Sequence, residues 1–168
     1  LRKRMLQLAG EIGDGLVFAN GSRSHMAVSL AHVPHARRTS DDFFIGNMIP
    51  TCVSDDIQAA AAVNRKTLSG YVRLENYRNY WREAGYEQEM DAVESAITTG
   101  ANNAALSACL SDKWLADNTL YGPADKVLEG LEAWYDAGIK TPILVPSSAA
   151  GNQLKAIQEV FDLCERLG

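Results

Sequence analysis

The side chains best placed to do chemistry in this 168-residue chain sit in short polar stretches that follow apolar runs. Asn20-Gly21-Ser22 comes after Leu16-Val17-Phe18-Ala19, and Ser147-Ser148 comes after Ile143-Leu144-Val145-Pro146. A small polar loop at the C-terminal end of a strand suits ligand binding: glycine removes a side-chain obstacle, and Asn and Ser supply hydrogen-bond donors. Asn-Gly is equally a turn dipeptide. The candidate cofactor- or substrate-binding residues are therefore Asn20, Gly21, Ser22, Ser147 and Ser148.

Other reactive groups fail their own tests. His32 and His35 are three apart, but Pro34 interrupts the helix they would share and no His-Glu-x-x-His pattern is present, so the histidines, His25 included, read as surface residues and no metal site is expected. Gly-x-Ser-x-Gly, a Walker loop and Gly-x-Gly-x-x-Gly are all absent, which removes the usual warrants for a hydrolase elbow and for nucleotide binding. Asp55 and Asp56 could act as paired acids, yet their place before an alanine-rich run favours helix capping. Cys52 reads as a buried structural thiol. No catalytic residue is identified.

The elements that must position the loops follow from periodicity. Met5, Leu8, Ala9 and Ile12 share a helical face over residues 1–12, and Gly13-Asp14-Gly15 leads into a strand at 16–19. A helix is predicted from about Arg23 to Val33, stopped by Pro34. Residues 43–53 form the longest strand candidate, with Gly46 and Pro50 as weak points, and Ser54-Asp55-Asp56 caps the helix that follows. From about 55 to 110 the reading is helical, with Tyr71, Tyr77, Tyr80, Trp81 and Tyr86 as packing residues, followed by a turn at Trp114-Leu115 and a short strand at Leu120-Tyr121. Gly122-Pro123 opens a helix whose face is Val127, Leu128, Leu131, Trp134 and Tyr135, with Pro123 at its first position and Gly138 as a left-handed stop. Ile143-Leu144-Val145 reads as a parallel strand covered on both faces, and Leu154, Ile157, Phe161 and Cys164 as the buried face of a last helix.

Composition narrows the class further. With 46% hydrophobic residues, mean hydropathy -0.16 and net charge -5, the chain is expected to form one domain with a sizeable core. Its acidic balance argues against nucleic acid as partner, and no segment reaches the roughly 20 apolar residues of a membrane span. Three widely spaced cysteines suggest neither a disulfide framework nor zinc, and a cytoplasmic location is expected. Helix and strand alternate as in parallel βα units, too few here to close a (β/α)8 barrel of about 250 residues. The expected fold is α/β, the C-terminal half of a TIM barrel with a helical excursion. Residues 1–168 are expected to form a single partial domain whose N-terminal half is missing, since the chain reads as opening inside a helix, and alone it would expose a sheet face and edges.

Several segments carry a family resemblance. Met5-Leu6-Gln7-Leu8-Ala9-Gly10-Glu11-Ile12-Gly13-Asp14-Gly15 resembles the Leu-Ala-Gly-Glu-x-x-Asp-Gly segment of the luciferase-like flavin-dependent oxidoreductases. Cys52-Val53-Ser54-Asp55-Asp56 resembles that family's strand-to-helix junction, the run from Tyr77 to Tyr86 its helical excursion, and Gly122-Pro123-Ala124-Asp125 with Ala137-Gly138-Ile139 its penultimate helix. The resemblance implies a TIM barrel that binds FMN or the deazaflavin coenzyme F420 at its C-terminal mouth and transfers a hydride, or activates oxygen, at the flavin ring. It also implies a small organic substrate, a homo-oligomer, and Asn20, Gly21 and Ser22 at the mouth. The family's cofactor-gripping loops and cis peptide belong mostly to the half that is missing. Ser22 stands where some deazaflavin-dependent sugar-phosphate dehydrogenases have lysine, so a phosphate-bearing substrate is not expected. A non-catalytic half-barrel that dimerises through its open face is the alternative.

Overall fold

The computed structural model describes residues 2–167. Helix α1 (Lys3–Ile12) leads into strand β1 (Gly15–Ala19), short helices α2 (Met26–Leu30) and α3 (His35–Arg38), and strand β2 (Phe44–Val53). The excursion then runs through α4 (Ile57–Leu68), a 3-10 turn at Tyr71–Arg73, α5 (Glu75–Glu83), α6 (Glu87–Thr98), α7 (Asn103–Ala108) and α8 (Asp112–Asn118). Strand β3 (Leu120–Gly122), α9 (Ala124–Asp136), β4 (Thr141–Pro146), α10 (Gln153–Cys164) and a 3-10 turn at Glu165–Leu167 follow.

Most local signals act as their chemistry requires. Asp56 caps α4 by accepting from the Ala59 N–H at 2.9 Å, and Gly138 closes α9 at φ 100°, a backbone angle that a Cβ would penalise. Three expectations shift. Pro123 is the N-cap of α9 rather than its first helical residue. Trp114 and Leu115 lie inside α8, which Ser111 caps through its hydroxyl. The helix expected at 23–33 shrinks to Met26–Leu30, because the backbone of Arg23 and Ser24 is tied to Asp117 in the excursion.

All strand pairs are parallel, and β2 organises them. β1 pairs with residues 44–48 of β2, and β4 pairs with residues 46–51. These spans overlap, so β1 and β4 lie on opposite edges. β3 pairs only with residues 51–53 and continues the β1 edge, since the Phe44 and Ser54 amides, of the same parity, bond to Asp14 and Gly122. Pro50 falls in the gap between β1 and β3, where no ladder N–H is required. There the buried Asn64 amide bridges the carbonyls of Pro50 and Leu120, which is how a proline is accommodated in a central strand. In a sequential barrel β4 would neighbour β3; here it neighbours β2. Short β3 ends at Gly122 (φ 117°) and begins beside Thr119, whose hydroxyl bonds back to Leu115.

One sheet face is covered. Leu16, Phe18, Ile45 and Ile49 pack against Leu6, Met26, Leu30, Val127, Leu131, Trp134 and Leu163. The other face is open, with Val17, Phe44 and Met48 exposed. The two-sided cover expected for β4 is therefore not found, and residues 142–146 are half-buried. The terminal helices also differ from expectation. α1 buries Leu6 and Gly10 and exposes Met5, Leu8 and Ile12, while α10 buries Ala156 and Leu163 and exposes Leu154, Ile157, Phe161 and Cys164. Small residues explain which side goes inward: a Cβ on Gly10 would come within 2.5 Å of Pro34, so the helix approaches through its glycine. A second core, built from Leu68, Val72, Tyr80, Trp81, Met90, Val93, Leu106 and Trp114, belongs to the excursion, and Trp81, Tyr80 and Tyr86 are packing residues as expected.

Candidate functional site

The loop after β1 is held from below by β2 and from the side by the excursion. The Asn20 N–H donates to the Met48 carbonyl, and Asn20 itself adopts φ 58°, a left-handed conformation that asparagine tolerates better than most residues. The Gly21 N–H donates to Asn47 Oδ1 at 3.2 Å, and the Ser22 N–H donates to Tyr80 Oη at 2.9 Å. Ser22 Oγ and Trp81 Nε1 both donate to Asn118 Oδ1, at 2.7 and 2.8 Å, while Asn118 Nδ2 donates to the Trp114 carbonyl. Ser24 gives both its N–H and its hydroxyl to the Asp117 carboxylate. Helices α5 and α8, distant in sequence, thus hold Ser22, Arg23 and Ser24 of the loop, and β2 holds Asn20 and Gly21.

Burial sets the protonation of this network. The Tyr80 phenol is pushed up to about 12, chiefly by desolvation and against the stabilising Ser22 N–H. Tyr86 is pushed up by burial and then by the Asp117 carboxylate. His25, edge-on to Tyr80 at 5.7 Å between ring centroids, is lowered by burial. At neutral pH the phenols are uncharged.

Beside this loop, at the C-terminal end of β1, lies a cavity of about 370 Å³. β1 contributes Val17, Phe18 and Ala19, the loop contributes Gly21, α5 contributes Asn76, Tyr77 and Tyr80, and the start of the chain contributes Arg2 and Met5. Tyr77 is wedged between Tyr71 and Trp81, at centroid distances of 5.2 and 5.5 Å, which fixes its ring. Arg2 is paired with Glu83. The wall is mostly apolar with a few neutral polar groups, the composition common to small-molecule sites.

The five sequence candidates divide here. Gly21 lines the cavity, but a Cβ on it would point at Met26 Cε (3.0 Å), Asn47 Oδ1 and Phe18 Cβ. Its small size serves close packing beneath the loop. Ser22 is fully buried and its hydroxyl is spent on Asn118, so its role in this arrangement is to hold the loop. Asn20 is 5% exposed, and its side-chain amide takes part in none of the described hydrogen bonds. Ser147 and Ser148 follow β4 at the same end of the sheet, two strand spacings or about 10 Å across from β1. Ser147 N–H donates to Thr51, and Ser148 Oγ donates to Glu159 and accepts from Ala150; neither serine lines the cavity. Tyr77 and Asn76 were not singled out as site residues, because an aromatic at helical spacing carries the same signal whether it packs or faces a ligand. Among the described residues no group of three or more His, Cys, Asp or Glu side chains could hold a metal, and Cys52 is buried with its thiol pushed up by desolvation. No helix among them is long and apolar enough to cross a membrane.

The fold and this site define an α/β protein with a cavity at the C-terminal end of a parallel strand. Residues 1–141 match the family described as luciferase-like monooxygenase, and the chain belongs to that family. A Mycobacterium tuberculosis protein, named provisionally as a coenzyme F420-dependent oxidoreductase, is 26% identical over 122 residues, covering 69% of this chain and 35% of that protein. Among solved structures, the coenzyme F420-dependent tetrahydromethanopterin reductase of Methanopyrus kandleri is similar with a TM-score of 0.73 at 16% identity, covering 94% of this chain and 46% of the reductase. An F420-dependent secondary alcohol dehydrogenase in complex with an F420-acetone adduct gives 0.61 at 13% identity, covering 96% and 45%. The chain therefore spans about a third of the curated relative and under half of the solved structures.

Proposed function

We propose that this chain is the C-terminal half of a (β/α)8 oxidoreductase that works with a flavin-type coenzyme, the deazaflavin F420 in preference to FMN, on a small organic substrate. The observation that carries the reading is the cavity at the C-terminal end of β1, set beside a sheet face whose apolar residues Val17, Phe44 and Met48 are exposed. In a completed barrel that face would be interior, and the exposed stripes of α1 and α10 would meet helices of the other half. The F420-dependent relatives favour the deazaflavin over FMN.

The residues present fit a planar heterocycle. Val17, Ala19 and Met5 offer an apolar wall for the ring, while Asn76 and Tyr77 on α5 leave neutral hydrogen-bonding groups for the substrate beside it. When bound, the coenzyme supplies the hydride chemistry. The chain's own part is to orient the ring and exclude water, with Asn20 and Gly21 at one side of the mouth and Ser147 and Ser148 at the other. The three free cysteines fit a reducing, cytoplasmic setting.

Fluorescence titration of the full-length protein with F420 and with FMN tests the reading: saturable binding of F420 supports it, and binding of neither overturns it. The open face also favours a second reading, a non-catalytic half-barrel that pairs with its own copy. Sedimentation separates the two, since a stable dimer that binds no coenzyme supports the second and a well-folded monomer at micromolar concentration contradicts it.

A further inference from the structure

The few polar groups on the mostly apolar wall of the cavity beside β1 are nearly all uncharged. Among the described residues that line it, Arg2 is the one cation, and its guanidinium is already paired with Glu83. An anionic ligand would have to compete with that carboxylate and would meet no other positive charge on the part of the wall that the described residues form. α5 instead presents two neutral polar side chains at adjacent positions. Asn76 is exposed, and the Tyr77 hydroxyl, like the Asn76 amide, makes none of the described hydrogen bonds. Burial and the neighbouring Tyr71 push the Tyr77 phenol up, so it remains an O–H donor throughout the physiological range. Its ring cannot swing away freely, held as it is between Tyr71 and Trp81. The remaining wall at Val17, Ala19 and Met5 is aliphatic.

We propose that Asn76 and Tyr77 of α5 form the substrate-selecting wall of this cavity, admitting a small uncharged molecule that carries a carbonyl or hydroxyl group and rejecting carboxylates and phosphates. The inference rests on the oxidoreductase reading and narrows its substrate class. It makes the excursion the specificity element of the site: the sheet provides the mouth, and α5 decides what enters. A neutral carbonyl oxygen accepts from the Tyr77 O–H and the Asn76 amide, while an alcohol can also donate to the Asn76 carbonyl. A carboxylate or phosphate in the same place would give up its hydration for two neutral donors, an exchange that leaves much of the desolvation cost unmet.

The test uses ligands matched in shape and different in charge. Benzyl alcohol, benzaldehyde, benzoate and phenyl phosphate are titrated against the full-length protein by ligand-observed saturation-transfer NMR, and F420 is titrated separately by fluorescence. The alcohol and aldehyde should bind at least about tenfold more tightly than the two anions. Tyr77→Phe, which keeps the ring and its stacking, should cut that affinity by about three- to tenfold and leave F420 affinity unchanged, the loss expected for one neutral hydrogen bond. Asn76→Ala, at an exposed position where folding is not at stake, should have an effect of similar size. Equal or tighter binding of benzoate or phenyl phosphate overturns the proposal, as does unaltered affinity for the neutral pair in both variants. F420 binding without selection among the four ligands sinks this inference and spares the oxidoreductase reading; selection without binding of F420 or FMN does the reverse.

Discussion

Trp81 and Trp114 meet edge to face at 4.9 Å in the excursion with both residues fully buried, whereas Phe44 and Met48 on the second sheet face remain 42% and 40% exposed. The two regions differ in closure. Helices α4 to α8 bury their apolar stripes against one another and, through α4, against β2 and β3. The βα framework has partners on one face only, and its end helices leave Leu8, Ile12, Leu154 and Phe161 in contact with water. In the proposed barrel, the exposed apolar residues on one sheet face and two end helices are where the other half would pack. Two kinds of contact join the excursion to the framework: the packing of α4 on β2 and β3, with Cys52 and Tyr121 in the shared core, and a polar seam of Ser22 and Ser24 against Asp117, Asn118 and Tyr80.

The largest effect that would test this contrast is expected from Trp81→Ala. It empties a fully buried site in the closed core and removes one of the two donors to Asn118, so stability should fall by about 3–5 kcal/mol in urea unfolding. A loss below 1 kcal/mol would mean that the excursion is not the tightly closed region described here.

Alkaline unfolding probes the seam. The Tyr80 phenol ionises near 10 in an unfolded chain and at about 12 when folded. Below pH 10 both states keep the proton and its contribution is intact; between pH 10 and 12 the unfolded chain alone releases it, and up to roughly 2–3 kcal/mol is lost. Tyr80→Phe should flatten that part of the stability profile, and an unchanged slope would show that the phenol is not held as the structure places it.

Asn20 tests the loop between the regions. Asn20→Ala should cost about 1–2 kcal/mol for a Cβ residue without a polar side chain at φ 58°, and Asn20→Gly should recover most of it. If both variants weaken F420 binding equally by fluorescence titration, the amide itself contacts the coenzyme; if neither does, Asn20 is a turn residue and drops out of the candidate site.

The smallest effect on stability is expected on the unpartnered stripe. Leu154→Gln with Phe161→Gln should change unfolding free energy by less than about 0.5 kcal/mol each when this chain is studied alone. Their consequence should appear in sedimentation as weaker self-association. A large destabilisation would show that α10 already packs through this face.

Capping and stopping signals were legible in the sequence because they are local. Asp56 needs only the amide of Ala59 three residues on, and Gly138 needs only its own φ. The strands at Gly15–Ala19 and Phe44–Val53 were legible for the same reason, and so was the presence of polar loops at their C-terminal ends. Which side of an amphipathic helix is buried was not, as α1 and α10 show: periodicity identifies a stripe, while burial depends on what stands opposite it, and in both helices the small residues Gly10 and Ala156 were chosen for close approach instead. The strand order was likewise a tertiary decision: β4 takes the edge of β2 opposite β1 and β3, which no local feature of its sequence specifies. So was the division of labour in the loop after β1. Asn20, Gly21 and Ser22 look alike as small polar residues, and partners 26 to 96 positions away turn Gly21 into a packing residue and Ser22 into a tether, leaving Tyr77 and Asn76 from a distant helix to face the cavity.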